Sequence, residues 1–354
     1  MDISVKPRVK RAEGAASAIK PVNLALQGGG AHGAFAWGVL DRLLEDGRLE
    51  VEGISATSAG AMNAAVMAQG LMDGGRDGAR AQLAKFWRAV SDAAAWHGPY
   101  KGLPWASLTG QWSLDHSPAY MLMDMATRLF SPYQLNPFNF NPLREVLESH
   151  VDFAALRERS TIKLYLAATN VETGKVRIFR CADVTADAVL ASACLPFMFQ
   201  AVQIDGEYYW DGGYVGNPAI YPLIYECGSR DVVIVHLNPI VRRGCPRTAA
   251  EILNRLNEVS FNSSLMREMR AIAFVTSLIE RGKLEPDEAK HMLIHSIRAD
   301  DEMAELGVSS KLNADWGFLT HLRDKGRRHA ERWLARNFDA IGARSSVDIR
   351  GEFL

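Results

Sequence analysis

The sequence predicts an α/β protein with a mostly parallel sheet, and three observations carry that expectation. Residues 22–27 form an apolar, strand-like run that passes through a glycine-rich loop into an amphipathic helix. Residues 51–55 form a second such run, followed by a turn of small residues and a helical stretch at 62–67. Residues 232–237 are apolar almost throughout, as a strand buried on both faces must be. Strand–helix–strand order of this kind implies parallel strands joined by right-handed crossovers.

Taken in chain order, residues 1–20 carry Lys6, Arg8, Lys10, Arg11 and Lys20 and have no apolar stretch. They read as a flexible basic tail and not as a secretory signal; weak attraction to acidic lipid heads is the alternative. The first helix, at 34–46, ends where Gly47 can adopt a left-handed cap. A helix at 80–96 is expected from Leu83, Phe86, Trp87 and Val90 at helical spacing. The segment 98–141 breaks the pattern with Tyr100, Trp105, Trp112, Tyr120, Met121, Met123, Met125, Phe130, Tyr133, Phe138 and Phe140. It reads as an insertion with a helix at 119–130. Either its aromatics form a small core of their own, or it caps an apolar acyl pocket or meets a lipid surface. A helix at 143–151 follows, then strands at 162–168 and 175–180 around the turn Glu172-Thr173-Gly174. Beyond Cys245 the chain becomes mainly helical, at 249–279 and 315–338, with one more strand at 291–297.

The chemistry concentrates in three short motifs. Ala56-Thr57-Ser58-Ala59-Gly60 sets a serine between a strand and a helix, the layout of a nucleophile elbow, with alanine where the usual pattern begins with glycine. Gly28-Gly29-Gly30-Ala31-His32-Gly33 lets successive backbone N–H groups point into one small space. Asp211-Gly212-Gly213 follows a short aromatic strand at 208–210 and supplies an acid. Each motif alone is common: a turn serine, a glycine loop, a hairpin turn. Their combination in this order is far more specific.

In these motifs, and in the small-residue block Ala191-Ser192-Ala193-Cys194-Leu195-Pro196, the chain resembles the patatin-like phospholipase family over roughly residues 22–222. The resemblance implies a three-layer α/β/α fold with a mostly parallel central sheet, plus a helical C-terminal extension here. It implies a Ser-Asp dyad without histidine, with Ser58 as nucleophile and Asp211 as its partner. Gly28, Gly29 and Gly30 would furnish the oxyanion hole, supported by Ala31, His32, Gly33, Gly60, Gly212 and Gly213. His32 stands where many members carry Arg or Lys. The expected organisation is a tail at 1–20, a catalytic domain at 21–245 with the insertion 98–141, and an extension at 246–354.

Two rival chemistries share parts of these motifs. The spacing Gly28-x-Gly30-x-x-Gly33 satisfies a dinucleotide fingerprint, but the second strand ends in Ser55-Ala56-Thr57-Ser58 and lacks the acid that would hold a ribose. A Ser-Asp-His triad would need His236, His291, His295 or His321, none of which lies in a recognisable catalytic loop. His32 reads as a local capping group or as a polarising one, and Asp41 and Glu45 as solvated.

The formal net charge of -1 provides no global field for nucleic acid. Cys181, Cys194, Cys227 and Cys245 form no C-x-x-C pair and suit free thiols in a reducing, cytoplasmic compartment. No cofactor or metal is expected. The expected function is hydrolysis of lipid carboxylic esters through an acyl-enzyme, with a lipid or hydrophobic ester as substrate and peripheral membrane contact as an option. The alternatives are an esterase acting on hydroxyalkanoate oligoesters and a non-catalytic lipid- or partner-binding protein.

Overall fold

The computed structural model describes residues 19–97, 112–115, 117–285 and 288–354. Residues 1–18 of the expected tail, and Tyr100 and Trp105 of the insertion, lie outside the described residues. Strand β1 (Lys20–Leu26) leads through the glycine loop to helix α1 (Gly33–Asp46), capped by Gly47 with φ 74°. Strand β2 (Leu49–Ala56) leads to α2 (Ala59–His97), which breaks at Gly74–Gly75 where both residues leave helical geometry. Helices α3 (Pro118–Leu129), α4 (Pro142–His150) and α5 (Phe153–Arg159) precede β3 (Lys163–Asn170) and β4 (Val176–Arg180). Then come α6 (Ala186–Ser192), β5 (Val202–Ile204), β6 (Glu207–Asp211), α7 (Tyr221–Glu226) and β7 (Asp231–Val235). Helix α8 (Ala249–Glu280), β8 (Leu293–Ile297) and α9 (Trp316–Asn337) complete the core elements.

The strands run in the order β5-β6-β3-β2-β1-β7-β8, with β4 paired to β3. The five strands from β3 to β8 are mutually parallel, and β4, β5 and β6 add antiparallel pairing at one side. Alternate residues of each strand face opposite layers. Val22, Leu24 and Leu26 of β1 and Val233 and Val235 of β7 enter one core with Phe35, Leu40, Phe86 and Phe318. Ala25, Val232 and Ile234 enter the other with Leu265, Met269 and Ile272 of α8. The result is the expected α/β/α sandwich.

Residues after 245 share these cores: β8 pairs with β7, α8 covers one face, and α9 packs on α1. Lys20 is no part of a tail. It opens β1, and its ammonium donates to the carbonyls of Phe338 and Ile341 at 2.9 Å. Asp41 and Glu45 are not merely solvated either. Both pair with Arg80 and with Arg327 of α9, which bolts α9 to α1.

One feature of the register positions the site. Strand β4 shares Tyr165 and Leu166 of β3 with β2, and Ala168 and Thr169 of β3 with β6. A β3 residue has only two edges, so β4 occupies one edge and both β2 and β6 occupy the other. They meet there end to end: β2 finishes with Ala56 opposite Leu166, and β6 arrives from the other direction with Asp211 opposite Ala168.

Candidate active site

Ser58 stands just past the end of β2, separated from it by Thr57, and has φ 56°. Left-handed geometry is costly for a residue with a Cβ and persists only where the surroundings enforce it. Here the backbone N–H of Ser58 donates to Ser192 Oγ at 2.9 Å, and its carbonyl accepts from Met62 in the first turn of α2. Small neighbours make the turn feasible. A Cβ on Gly60 would lie 2.5 Å from the Leu26 carbonyl oxygen, and one on Gly33 would lie 2.6 Å from Ala59 Cβ.

Asp211 ends β6 and is anchored on every side. Its N–H donates to the Cys194 carbonyl at 2.8 Å, its carbonyl accepts from Thr169 Oγ1 at 2.7 Å, and its Oδ1 accepts from the Gly213 N–H at 2.7 Å. Gly212 lies against the Ala167 carbonyl and Gly213 against the Phe261 ring. Burial pushes the Asp211 carboxyl up to about 6, while the Gly213 N–H, the Ser58 hydroxyl and the Lys311 ammonium pull it down. Ser58 is 7% exposed and Asp211 1%. Two open clefts, of about 570 and 670 Å³, lie elsewhere, beside Gln69 and His150 and beside Arg42 and Arg332.

The glycine loop lies against the elbow. A Cβ on Gly28 would be 2.7 Å from Ser58 Cβ, so only glycine fits. Of the three amides expected to face an oxyanion, that of Gly28 is already committed, donating to Asn217 Oδ1 at 2.7 Å. The N–H groups of Gly29 and Gly30 donate to no other described residue. Gly30 has φ 57° and sits against the carbonyl of Lys311.

His32 occupies the N-cap position of α1, but its side chain makes no capping hydrogen bond. Its ring is buried and its Nε2 meets Ser310 Oγ at 2.7 Å. Burial, and secondarily the nearby Lys311 charge, lower its pKa to about 3, so the ring is neutral. The four histidines considered for a triad lie elsewhere. His236 bonds Ser296 and His295 bonds Asp231 at the start of β7, the His321 ring lies tilted against Trp112, and His291 precedes β8. Among the described residues no histidine hydrogen-bonds to Ser58 or Asp211.

The insertion reaches the site through the loop after α6. Gln200 Nε2 donates to the Asn136 carbonyl at 2.8 Å, the Ala201 N–H donates to the Tyr133 hydroxyl, and Cys194 Sγ donates to the Gln200 carbonyl. Helix α3 buries none of its residues, and Met121, Leu122, Met125, Leu129 and Phe130 are exposed. Phe138 is 94% exposed. Trp112 behaves oppositely: it is buried against Phe318, with ring centroids 5.2 Å apart.

Sequence reasoning missed Asn217, Asn238 and Lys311. They enter the site from the loop after β6, the end of β7 and the turn Val308–Leu312, and no local pattern marks them.

Among solved structures, VipD from Legionella pneumophila aligns with a TM-score of 0.38 and 16% identity, over 90% of this chain and 68% of that one. A chain of the heterodimeric ExoU–SpcU complex from the type III secretion system of Pseudomonas aeruginosa aligns with a TM-score of 0.33 and 14% identity. That alignment covers 90% of this chain and 53% of the other. The chain thus spans about two thirds of the first and about half of the second. No curated protein matches it in sequence. Residues 24–224, more than half of the chain, match the family model for patatin-like phospholipase. The chain belongs to the patatin-like phospholipase family, and with it to the hydrolases of lipid esters.

Proposed function

We propose that the protein is a serine acyl hydrolase that cleaves carboxylic esters of lipids through a Ser58–Asp211 dyad. The observation that carries this reading is the end-to-end meeting of β2 and β6 on one edge of β3, which brings an elbow serine beside a buried carboxylate. A serine hydroxyl is a poor nucleophile without a base in hydrogen-bond reach. A carboxylate with its pKa raised toward neutrality is a better base than a solvated one. Ser58 Oγ attacks the ester carbonyl and its proton passes to Asp211. The tetrahedral oxyanion is held by the Gly29 and Gly30 N–H groups. Asp211 returns the proton to the leaving alcohol, and water attacking the Ser58 ester repeats the cycle.

The substrate class follows from the family and from the surface beside the site. Met121, Leu122, Met125, Leu129, Phe130 and Phe138 of the insertion, and Phe197 of the loop it touches, are all exposed, and exposed large apolar side chains gathered in one segment are the mark of a contact surface. We assign it to contact with a lipid aggregate, from which an ester reaches Ser58. Among the described residues no helix is long and apolar enough to cross a membrane. Labelling with a fluorophosphonate tests the nucleophile. Wild type should be labelled and Ser58→Ala should not, and a labelled Ser58→Ala protein would refute the assignment.

A further inference from the structure

The turn Val308–Leu312 leans on the glycine loop from a distant part of the chain. Ser310 Oγ meets His32, and the Lys311 backbone lies against Gly30. The Lys311 side chain continues inward. Its Nζ donates to Asn238 Oδ1 at 2.8 Å and to Asn257 Oδ1 at 2.7 Å. Asn238 in turn donates through Nδ2 to the Gly28 carbonyl at 2.9 Å. A trans peptide points its C=O and the following N–H in opposite directions. Holding the Gly28 carbonyl on the Asn238 side therefore aims the Gly29 N–H away from it. The Gly28 N–H is fixed as well, by Asn217.

We infer that Lys311 is a positioning residue for ester cleavage: through Asn238 it fixes and polarises the Gly28–Gly29 peptide whose N–H receives the oxyanion. The inference rests on the serine hydrolase reading above. An ammonium on Asn238 Oδ1 draws electron density through the amide and strengthens the Nδ2–H donor, which polarises the Gly28–Gly29 peptide in turn. The Gly29 N–H thus carries more positive charge where negative charge develops. This device supplies the cation that His32, neutral and turned toward Ser310, does not provide.

The charged groups around Lys311 are Asp211 at the end of β6 and Glu258 on α8, the latter shared with Arg242 and Arg255. Desolvation lowers the Lys311 ammonium to about 8 against the opposing pull of Glu258 and Asp211. Loss of its proton should therefore weaken catalysis within an accessible pH range.

The test uses the full chain, p-nitrophenyl butyrate as substrate and two variants, Lys311→Met and Asn238→Asp. Asn238→Asp keeps a partner for Lys311 but cannot donate to Gly28. Its kcat should fall about 10²-fold, the scale of one lost oxyanion donor, with KM within about threefold and unchanged far-UV circular dichroism. Lys311→Met should lose the alkaline limb of kcat near pH 8. Its acid limb should move to higher pH, because the cation that favours ionised Asp211 is gone. A structural role alone would lower Tm and leave the alkaline limb in place. Folded variants with wild-type kcat and limbs overturn the inference. Should Lys311→Met not fold, wild-type kcat flat from pH 7 to 9.5 overturns it equally. An inactive wild type that takes no fluorophosphonate label defeats the hydrolase reading itself. An active, labelled wild type with unaffected variants defeats only the relay.

Discussion

The elbow and the insertion sit side by side and are built on opposite principles. Around Ser58 the backbone is packed so closely that glycines at 28, 33 and 60 have no room for a Cβ, and the left-handed serine is held by bonds to Ser192 and Met62. From 118 to 140 the chain buries little and turns methionines and phenylalanines outward. The first arrangement preorganises a few atoms, the second leaves adaptable apolar surface. A hydrolase of aggregated lipid needs both, since chemistry requires fixed donors while an aggregate offers no fixed shape to complement.

The comparison breaks if the chemistry lies outside the rigid half. Asp211→Asn should lower kcat by about 10³-fold or more, and the Ser58→Ala/Asp211→Asn double variant should be little worse than either single one, because groups acting as a unit are not additive. His236→Ala, His291→Ala, His295→Ala and His321→Ala should each keep most of kcat per folded molecule. A drop of several thousandfold at any one of them would replace the dyad with a triad.

A second expectation concerns pH. Asp211 must be ionised to accept a proton, and its carboxyl is raised to about 6. The ratio kcat/KM should therefore fall below about pH 6, by roughly tenfold per pH unit. Stability should move the other way. An acid whose folded pKa lies above its unfolded value of 3.8 binds its proton more tightly when native. Its contribution is fully present below about pH 4 and is lost as pH rises to 6. Calorimetry should show the stability gap between Asp211→Asn and wild type widening in favour of the variant across that interval. A constant gap would mean that Asp211 is not strained by burial.

Within the insertion the two kinds of aromatic separate. Trp112→Ala should cost about 3–5 kcal/mol in denaturant unfolding, since the ring is packed in the core on Phe318. Phe138→Ala should cost within about 0.5 kcal/mol, since its ring is in water. Trp112 therefore reports on packing, whereas the exposed residues report on lipid contact. The smallest effect is expected for Met125→Ser with Phe138→Ser on p-nitrophenyl acetate, where kcat/KM should stay within about twofold while hydrolysis of phospholipid vesicles falls about tenfold or more. Equal losses on both substrates would mean that the apolar surface does not meet lipid.

What was legible in the sequence was what is local. Residues 28–33 and 56–60 declare the loop and the elbow because glycine and alanine are required within a few positions of each other. Apolar runs declare β1, β2 and β7 because those strands are buried on both faces. Helix α5 has no clear sequence signal because it is only two turns long and strongly charged, and the small-residue block at 191–196 overlaps only the last two residues of α6. Strand β5 has three residues and depends on β6 for its existence. Lys311 and Asn238 were invisible for a different reason. Neither has a motif, and each acquires its place through tertiary packing of β7, α8 and the 308–312 turn. The sequence also overstated Gly28 as an oxyanion donor, since nothing in a glycine run announces that Asn217 takes one of its amides.

Strand β3 acts as a ruler. Ser58 and Asp211 are brought together by no bond between β2 and β6 but by the rungs each occupies on that third strand. A slip of β6 by one rung would displace Asp211 by about 3.3 Å and turn its side chain to the opposite face. Lengthening the β3–β4 turn at 171–174 leaves the rungs untouched, whereas deleting one residue from 207–210 shifts them. Homologous chains should therefore vary freely in the length of that turn and hardly at all in the strand that ends at the aspartate.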